Sequence, residues 1–386
     1  MSDAAIIECN DYSPDRVYEA VKKAVSFTGG IGASVKSGQT VLLKPNLLRL
    51  SAPDEAVVTH PNVVGAVARI LIDHGAKVII ADSPGGPFTR FFLEKMYSRT
   101  GLDKVARDTG AVLNFNTKTD QVSNINGKLI KRFDIIKAAL EVDAVINLPK
   151  LKNHASMRLT GAIKNSFGLV PGLTKSGYHA KLVNADNFGQ MLLDLLFMVK
   201  PTLNIMDAVV GMEGNGPAAG NPRHIGVLIA SRDAIAVDSI AARITGVKND
   251  EIPVLRLAEQ QNIPSANVKN INVLGKALDE AMVRDFKPTT GSDRGMGGIL
   301  APLINFVGGS MVVNTEVVQS GCDGCGDCYR MCPVEAITIN HGKASIDKKM
   351  CIRCYCCHEI CPQNTIALKK SLLLHLTGVG NRKQKK

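Results

Sequence analysis

The residues with the clearest chemical pattern are the cysteines, since nine of the ten fall between Cys322 and Cys361. They form two runs of the form C-x2-C-x2-C-x3-C-P, and each cysteine of the second run lies 29 residues after its counterpart. Such runs hold two 4Fe–4S clusters, with the fourth cysteine of each run binding the other cluster. A structural zinc site needs four cysteines and would not use interleaved runs. The predicted ligands are Cys322, Cys325, Cys328 and Cys361 for the first cluster, and Cys351, Cys354, Cys357 and Cys332 for the second.

This module resembles the bacterial two-cluster ferredoxins. Cys356 fits no ligand position, and we expect a buried thiol beside a cluster rather than a nucleophile. Cysteines in metal-ligand spacing, rather than in a disulfide framework, are typical of a reducing compartment. Because the N-terminus also shows no signal-peptide pattern, the expected localisation is cytoplasmic.

A second group of chemically capable residues follows the stretch "INLPKLKNH" (146–154), where Lys150, Lys152 and His154 alternate after an apolar run. In an extended chain such residues share one face, and a fold tolerates clustered basic groups when an anion lies among them. Solvated surface lysines are the alternative explanation. Candidate catalytic residues are Lys150, Lys152, His154 and Lys164, with His179 as a further acid–base candidate, and candidate substrate- or anion-binding residues are Lys44, Asn46 and Asn165.

Acidic residues accompany this basic group. Asp82 and Asp207 each follow a predicted strand, and Glu213 lies in the glycine-rich stretch "GMEGNGPAAG". An aspartate after a strand is most often a helix cap. If the three converge, they could hold a divalent cation that bridges to a phosphate or carboxylate, so we include them in the candidate binding site.

The elements that must position these residues alternate between apolar strands and amphipathic helices up to about residue 290. This alternation predicts an α/β fold with a largely parallel sheet covered by helices, and ligands collect beyond the carboxyl ends of such strands. We therefore expect Lys44, Asp82, Lys150 and Asp207 at one edge of the sheet. Predicted strands include 40–45, 77–82, 144–148, 203–207 and 225–231, and predicted helices include 59–75, 134–141, 187–199 and 233–246.

Four segments are predicted along the chain. An α/β domain spans 1–294, and a small α+β ferredoxin-like domain spans 316–370. Between them, 295–315 is an uncharged, glycine-rich segment that is too polar and too broken for a membrane span, so we expect a buried linker or flap. The basic tail 371–386 is expected to be a solvated end.

Composition argues against nucleic-acid binding. The formal net charge is +11, but residues 316–386 contribute +5 (11 Lys and Arg against 6 Asp and Glu) and the rest +6, so no domain is heavily basic. Aromatic residues make up 4% of the chain and there is no Trp, so platforms on which bases could stack are scarce. No nucleic acid is therefore expected as a partner.

The stretches "VLLKPNLL", "NLPKLKNHASMRLTGAIKNSFG" and "MDAVVGMEGNGPAAG" resemble the uncharacterised family catalogued as domain of unknown function 362. The resemblance covers roughly 5–290 and implies an association with iron–sulfur redox chemistry, without established catalytic residues. No dinucleotide or P-loop fingerprint stands in the required context. A flavin or a divalent cation remains open as a further cofactor.

Three functions are consistent with these features. The leading one is an iron–sulfur oxidoreductase, a low-potential reductase of a small carboxylate or phosphate substrate that receives electrons from a redox partner protein through two 4Fe–4S clusters. The alternative is a non-catalytic electron carrier whose large domain docks an acidic partner protein. A third is a metal-dependent enzyme whose clusters are structural. The first predicts lysines in a concave pocket, and the second predicts lysines on an exposed face.

Overall fold

The computed structural model describes residues 1–289 and 313–370. The strands are β1 (Ser2–Glu8), β2 (Thr40–Pro45), β3 (Lys77–Ile80), β4 (Val112–Leu113), β5 (Thr119–Ser123), β6 (Arg132–Ile136), β7 (Ala144–Leu148), β8 (Lys150–His154), β9 (Arg158–Thr160), β10 (Leu203–Glu213), β11 (Asn221–Ser231), β12 (Ile271–Gly275), β13 (Val313–Val317), β14 (Ile337–Asn340), β15 (Lys343–Ile346) and β16 (Ile366–Lys370). The helices are α1 (Pro14–Phe27), α2 (Pro61–Asp73), α3 (Arg90–Thr100), α4 (Leu102–Thr109), α5 (Ala162–Asn165), α6 (Thr174–Lys181), α7 (Ala185–Val199), α8 (Ala234–Thr245), α9 (Pro253–Gln260), α10 (Leu278–Ala281), α11 (Asp327–Met331) and α12 (Cys356–Ile360).

One ten-stranded sheet organises the large domain, in the order β12-β1-β11-β10-β7-β2-β3-β4, with β8 and β9 attached beside β10. Strands β4, β3, β2, β7 and the start of β10 run parallel, whereas β11 is antiparallel to β10 and β1. The fold is therefore α/β with a mostly parallel sheet, which confirms the predicted fold class.

Side chains of successive strand residues point to opposite faces of this sheet and build two apolar cores. In β10, Met206 and Ala208 belong to one core, whereas Ile205 and Val209 belong to the other. Helices α7, α8 and α9 cover the first face, and α1 and α2 cover the second. Apolar residues on both faces explain why these strands appear in the sequence as continuous hydrophobic runs.

One predicted element is wrong, because the expected helix at 134–141 is instead β6 followed by a 3-10 turn. β6 pairs antiparallel with β5 in a separate hairpin. Phe133 and Ile135 are buried at alternate positions, so the apolar spacing has the period of a strand. The short run also permitted a helical interpretation, and pairing with β5 decided between the two.

The C-terminal module contains two small two-stranded antiparallel sheets, β13–β16 and β14–β15. Helices α11 and α12 pack against each other. Of the predicted linker 295–315, only the last three residues lie in the described part, where they begin β13. The rest of that segment and the tail 371–386 lie outside the described residues. Among the helices of the described residues, none has the length and apolar character that crossing a membrane requires.

Candidate functional site

The alternating row that the sequence indicated is strand β8, which continues the sheet edge directly after β7 and Pro149. Asp207 of β10 lies opposite Lys150, and Met212 lies opposite Lys152. Lys44 lies opposite Asn147 of β7, so these residues share the carboxyl edge of the sheet, as predicted. The row is buried, but its members have different partners.

Lys150 is neutralised inside the protein. Its Nζ lies 2.8 Å from a carboxylate oxygen of Asp207 and 2.7 Å from the hydroxyl of Tyr12. The Tyr12 hydroxyl donates to Asp207 at 2.7 Å, and the backbone N–H of His60 donates to the same carboxylate. Burial lowers the pKa of Lys150, and Asp207 opposes this effect. Every polar atom of this pair has a partner, so the arrangement is that of a structural ion pair.

A cavity with about 670 Å³ of empty space, partly open to solvent, lies beyond the carboxyl ends of β2 and β3. One wall comes from the sheet edge and from α5 and α6, and the other from Met331 of α11 and from Cys356, Glu359 and Ile360 of α12. The polar and thiol side chains that line it are Lys44, Asn46, Asp82, Ser83, Lys152, Thr160, Lys164, Asn165, Lys175, His179, Cys356 and Glu359.

Two lysines of the cavity differ in how their charge is balanced. Lys44 is buried and lies 2.8 Å from the carboxylate of Asp82. Gly168 packs against this pair so closely that a Cβ would collide with both side chains. In contrast, Lys164 is only partly buried and, among the described residues, has no hydrogen-bond or ion-pair partner. Lys164 therefore brings to the cavity a cation that no carboxylate contacts directly, although its charge interacts with that of Glu359.

Two further lysines, Lys152 and Lys175, are held by neutral acceptors. The Nζ of Lys152 donates to Asn46 Oδ1 at 2.8 Å and to the carbonyl of Val57 at 2.7 Å. Burial, and next the charge of Lys164, hold the pKa of Lys152 well below its ordinary value. Lys175 donates to the carbonyl of Ser83 at 2.6 Å, and burial lowers its pKa to about 7. A bound anion would raise the pKa of both amines.

A chain of buried amides fixes the position of Lys152. Asn46 Nδ2 donates to Asn165 Oδ1 at 3.0 Å, and Asn165 Nδ2 donates to Asn147 Oδ1 at 2.7 Å. Asn147 Nδ2 then donates to Asn204 Oδ1 at 2.9 Å. Because Asn46 and Asn165 are engaged in this chain, their first role in the structure is to hold the lysines in place.

Glu359, on the cavity wall formed by the ferredoxin-like module, is the carboxylate partner of His154. Glu359 Oε1 lies 3.1 Å from His154 Nε2, and the backbone N–H groups of Ser156 and Met157 both donate to His154 Nδ1. Nδ1 is thus an acceptor, so the neutral ring carries its proton on Nε2, facing Glu359. Burial lowers the pKa of His154 to about 4. Burial alone would raise the pKa of Glu359, but His154 and Lys164 outweigh it and hold it below the ordinary value.

His179 is neutral near pH 7 as well. Its ring stacks on Phe188 with centroids 4.4 Å apart, and burial lowers its pKa to about 4. Near neutral pH the cavity therefore contains the ionised Glu359, the unpaired Lys164 and the half-titrated Lys175.

Four of the cysteines line a separate small cavity, and they are Cys322, Cys325, Cys328 and Cys361. In the described residues no three His, Cys, Asp or Glu side chains converge on a point that suits a single metal ion. Burial raises the pKa of Cys328 to about 11, with smaller contributions from the other three thiols. This arrangement fits a 4Fe–4S cluster.

The second set of cysteines is also grouped. Burial raises the pKa of Cys357 well above its ordinary value, and the charges of Cys354, Cys351, Cys328 and Cys332 add to the effect. The backbone N–H of Ala336 donates to Cys332 Sγ at 3.3 Å, an interaction that tunes the potential of a cluster bound there. The four cysteines of the second set would hold the second cluster.

Buried polar contacts fix the ferredoxin-like module to the sheet edge. The guanidinium of Arg49 donates to the carbonyl of Cys361 and, at 3.0 Å, to the carbonyl of Ala218. His358 lies with Nδ1 2.6 Å from the carbonyl of Ile366 and Nε2 3.2 Å from the carbonyl of Asn215. Arg49 is 2% exposed, so its charge is committed to this interface.

Docking in this way places the predicted ligands of the second cluster, rather than those of the first, beside the cavity. Met331 and Cys356 line the cavity, and each is bonded directly to a ligand of the second cluster, Cys332 or Cys357. Consecutive Cα atoms are about 3.8 Å apart, so the cluster ligands lie immediately behind the cavity wall. None of the first cluster's ligands lines this cavity, and its ligand Cys325 is exposed at the surface.

Comparison with known proteins also separates the large domain from the ferredoxin-like module. Residues 41–243, slightly more than half of the chain, match the domain of unknown function DUF362, and residues 315–362 match the 4Fe-4S dicluster domain. The chain belongs to the DUF362 family. This DUF362 protein also carries a ferredoxin-type module, the kind of domain that serves electron transfer.

Three known proteins are similar to this DUF362 protein. The thylakoid-associated protein sll1697 of Synechocystis sp. is 32% identical over 265 residues, which cover 67% of this chain and 79% of the relative. One component of an ion-translocating oxidoreductase complex from Methanosarcina acetivorans is 42% identical over 53 residues, 14% of this chain and 20% of the relative. The lactate racemase apoprotein from Thermoanaerobacterium thermosaccharolyticum aligns with a TM-score of 0.38 and 11% identity over 64% of this chain and 57% of that one, a likeness that carries no argument.

The cavity of the DUF362 protein collects part of the predicted site. Lys150 and Asp207 do not line it and pair with each other, and Glu213 pairs elsewhere with Lys287, at 3.5 Å. The three candidate acids for a cation thus lie in three separate ion pairs. His154 does not line the cavity, but it contacts Glu359, which does. The predicted residues that do line it are Lys44, Asn46, Asp82, Lys152, Lys164 and Asn165.

Sequence reasoning missed three residues of this region. Lys175 belongs to no recognisable motif, since it lies inside "GLTKSG" at the start of a short helix. Glu359 lies between the cluster ligands Cys357 and Cys361, where the cysteines dominate the motif. Arg49 lies in the loop after β2 with no periodic neighbour. One signal was available, because Lys175 and Glu359 both interrupt otherwise apolar or glycine-rich stretches.

Proposed function

We propose that this protein is an iron–sulfur oxidoreductase, a low-potential reductase of a small anionic substrate with a carboxylate or phosphate group. A single arrangement carries the proposal. The cavity has lysines on its sheet wall, and residues bonded to two ligands of the second cluster form its other wall. A substrate in the cavity would thus lie between positive charge and an electron donor.

The two 4Fe–4S clusters would supply electrons one at a time from a redox partner protein. The exposed Cys325 of the first cluster supports electron entry on that side, and the similarity to a component of a redox complex supports the existence of such a partner. Two electrons and two protons convert a carbonyl or a conjugated carbon–carbon double bond into its reduced form, so the balance needs a proton source in the cavity.

The side chains of the cavity suit these needs. Lys164 would bind the substrate's anionic group, because its ammonium is unpaired. Lys175, with its pKa of about 7, would donate a proton near neutral pH, where a group of that pKa is most effective. Lys152 would become protonated as negative charge develops on the substrate and would stabilise it. Glu359 orients His154, and Lys150 has no proposed substrate contact.

Burial of the lysines favours this function over a non-catalytic carrier that docks an acidic protein. Lys44 is 1% exposed, Lys152 is 0% exposed and Lys175 is 8% exposed. A docking face needs accessible charges, since association is steered by the field at the surface. The same lysines line a concave space that is partly open to solvent.

The test uses protein purified without oxygen and reduced with dithionite. It should contain about eight irons and eight acid-labile sulfides, as two four-iron clusters require. Inorganic phosphate or succinate is then titrated, and the electron paramagnetic resonance spectrum of the reduced clusters is followed. An anion in the cavity should perturb only the signal that Cys332→Ser also alters, because Cys332 is assigned to the cluster beside the cavity.

Two outcomes would overturn the proposal. The first is zinc with little iron, which would remove the redox chemistry. The second is a phosphate or succinate response that is absent, or that persists unchanged in Lys164→Met. Lys181→Met provides a matched control, because Lys181 is exposed on the helix that also carries Lys175.

A further inference from the structure

A second groove lies between the tip of the β5–β6 hairpin and the end of α7, far along the chain from the cluster module. It encloses about 760 Å³ and is open to solvent. We call it the hairpin groove. Its lining comes from residues 123–128 of the hairpin, from the end of α7 and from Gln261.

Large apolar side chains are exposed at this groove. Ile125 is 83% exposed at the tip of the hairpin, and Leu129 is 40% exposed four residues later. Phe197 of α7 lines the groove and is 43% exposed. Single exposed apolar residues are ordinary, but Ile125 and Phe197 line one groove from two elements, and Leu129 follows the lining residue Lys128 in the chain, so together they indicate an interaction surface.

The charged residues of the same surface are mainly basic. Lys128 and Lys200 line the groove, and Lys131 reaches back to the carbonyl of Ile125 at 3.2 Å. None of the three has an ion-pair partner among the described residues. The one carboxylate in the lining, Asp194, is buried and accepts the backbone N–H groups of residues 128–130, so its charge is satisfied inside the protein.

The groove lies at the edge of the sheet opposite the cavity. α7 ends at Val199, and β10 begins at Leu203, so the end of α7 lies at the start of a strand. The cavity lies beyond the ends of β2 and β3, which run parallel to β7 and through it to the start of β10. A surface that binds the hairpin groove would therefore leave the cavity and the cluster module accessible.

We propose that the hairpin groove docks the protein on a membrane surface that contains anionic lipids. Ile125, Leu129 and Phe197 would enter the boundary between headgroups and acyl chains. The stems of Lys128, Lys131 and Lys200 would follow them, with the ammonium groups at the lipid phosphates. A lipid surface meets both features at once, since its charge is diffuse and its apolar layer lies just beneath. This inference is independent of the reaction in the cavity.

The test measures co-sedimentation of the whole cluster-loaded protein with vesicles of phosphatidylcholine, alone or mixed with phosphatidylglycerol. Binding is expected only to the mixed vesicles, and it should fall as salt is raised from 0.1 to about 1 M, where the screening length drops from about 10 to about 3 Å. Ile125→Asp and Lys128→Glu should each weaken binding about five-fold or more.

Matched control variants distinguish binding through the hairpin groove from nonspecific binding to vesicles. Val112→Asp changes an aliphatic residue that is 61% exposed away from the groove, and Lys181→Glu reverses an exposed lysine of α6. Both should bind as the unaltered protein does. Equal binding to the two kinds of vesicle, equal losses in the controls, or a dimer in solution that Ile125→Asp abolishes would overturn the proposal. Cluster absorbance and circular dichroism test whether each variant is folded. If Lys128→Glu does not fold, Lys200→Glu provides a second charge reversal in the groove.

Discussion

Two lysines of one strand, two residues apart, have opposite surroundings. Lys150 faces the carboxylate of Asp207 at 2.8 Å, with Tyr12 and a backbone N–H completing a closed network. Lys152 faces an amide and a carbonyl, and it lines a cavity together with Lys164, whose ammonium makes no ion pair among the described residues. Both side chains are fully buried.

The comparison shows that the chemistry of the group contacting the ammonium distinguishes a structural lysine from a candidate functional one better than burial does. A buried ammonium with a carboxylate partner has no affinity left for a ligand. A buried amine with neutral partners gives up its proton and regains it when negative charge arrives. Four changes to the protein test this contrast, and the largest effect is expected first.

Replacing Lys150 by Met should destabilise the fold by about 3–5 kcal/mol, because Asp207 would be left buried without its cation. Denaturant unfolding measures this, with the free energy taken from the transition of the large domain. The double change Lys150→Met with Asp207→Leu is the control, since removing both charges should recover most of the loss. A loss below about 1 kcal/mol in the single variant would show that the pair is not structural.

Replacing Lys164 by Met should weaken the binding of phosphate or succinate by about 1.5–3 kcal/mol, the contribution of a charge-assisted hydrogen bond. The free energy of unfolding should change by no more than about 0.5 kcal/mol, because Lys164 has no partner among the described residues. Isothermal calorimetry gives the affinity, and Lys181→Met should match the unaltered protein. If Lys164→Met destabilised the fold instead, the two lysine environments would not differ as described.

Anion binding should be coupled to proton uptake by Lys175. Its pKa is lowered to about 7 in the free protein, and a bound anion raises it. Its contribution to affinity is therefore complete below pH 7 and is lost as the pH rises through the higher pKa of the complex. Calorimetry in buffers of different ionisation enthalpy should detect this uptake near pH 8. An affinity that is independent of pH between 7 and 9 would show that binding takes up no proton, and the same slope in Lys175→Met would assign the uptake to another group.

The smallest effect is expected at the amide chain. Asn46→Ala removes one of the two acceptors of Lys152, so anion binding should weaken by about 1 kcal/mol through loss of positioning. Asn204→Ala, at the far end of the chain, should change binding less than Asn46→Ala, since it touches no lysine. Equal losses in the two variants would mean that the chain supports the fold rather than Lys152.

Most of the fold could be predicted from local patterns. Apolar runs and helical periodicity identified strands β2, β3 and β7, the start of β10, and helices α2, α7 and α8, but not β1, β4, β8 or β12. The polar residues after the predicted strands indicated the edge where the cavity lies. The segment 134–141 was wrong because a short apolar run fits either period until a neighbouring strand pairs with it. Roles in catalysis stay predictions for all the residues of the cavity.

The sequence by itself determined the cysteine pattern, the family and the edge at which basic residues gather, because each of these depends on spacing along a strand or loop. Tertiary structure alone decided which lysines acquire carboxylates. Asp207 reaches Lys150 from a strand 57 residues away, and Glu359 reaches His154 from the other module. Charges interact across space with an energy set by distance and burial, and neither quantity is visible in the order of residues along the chain.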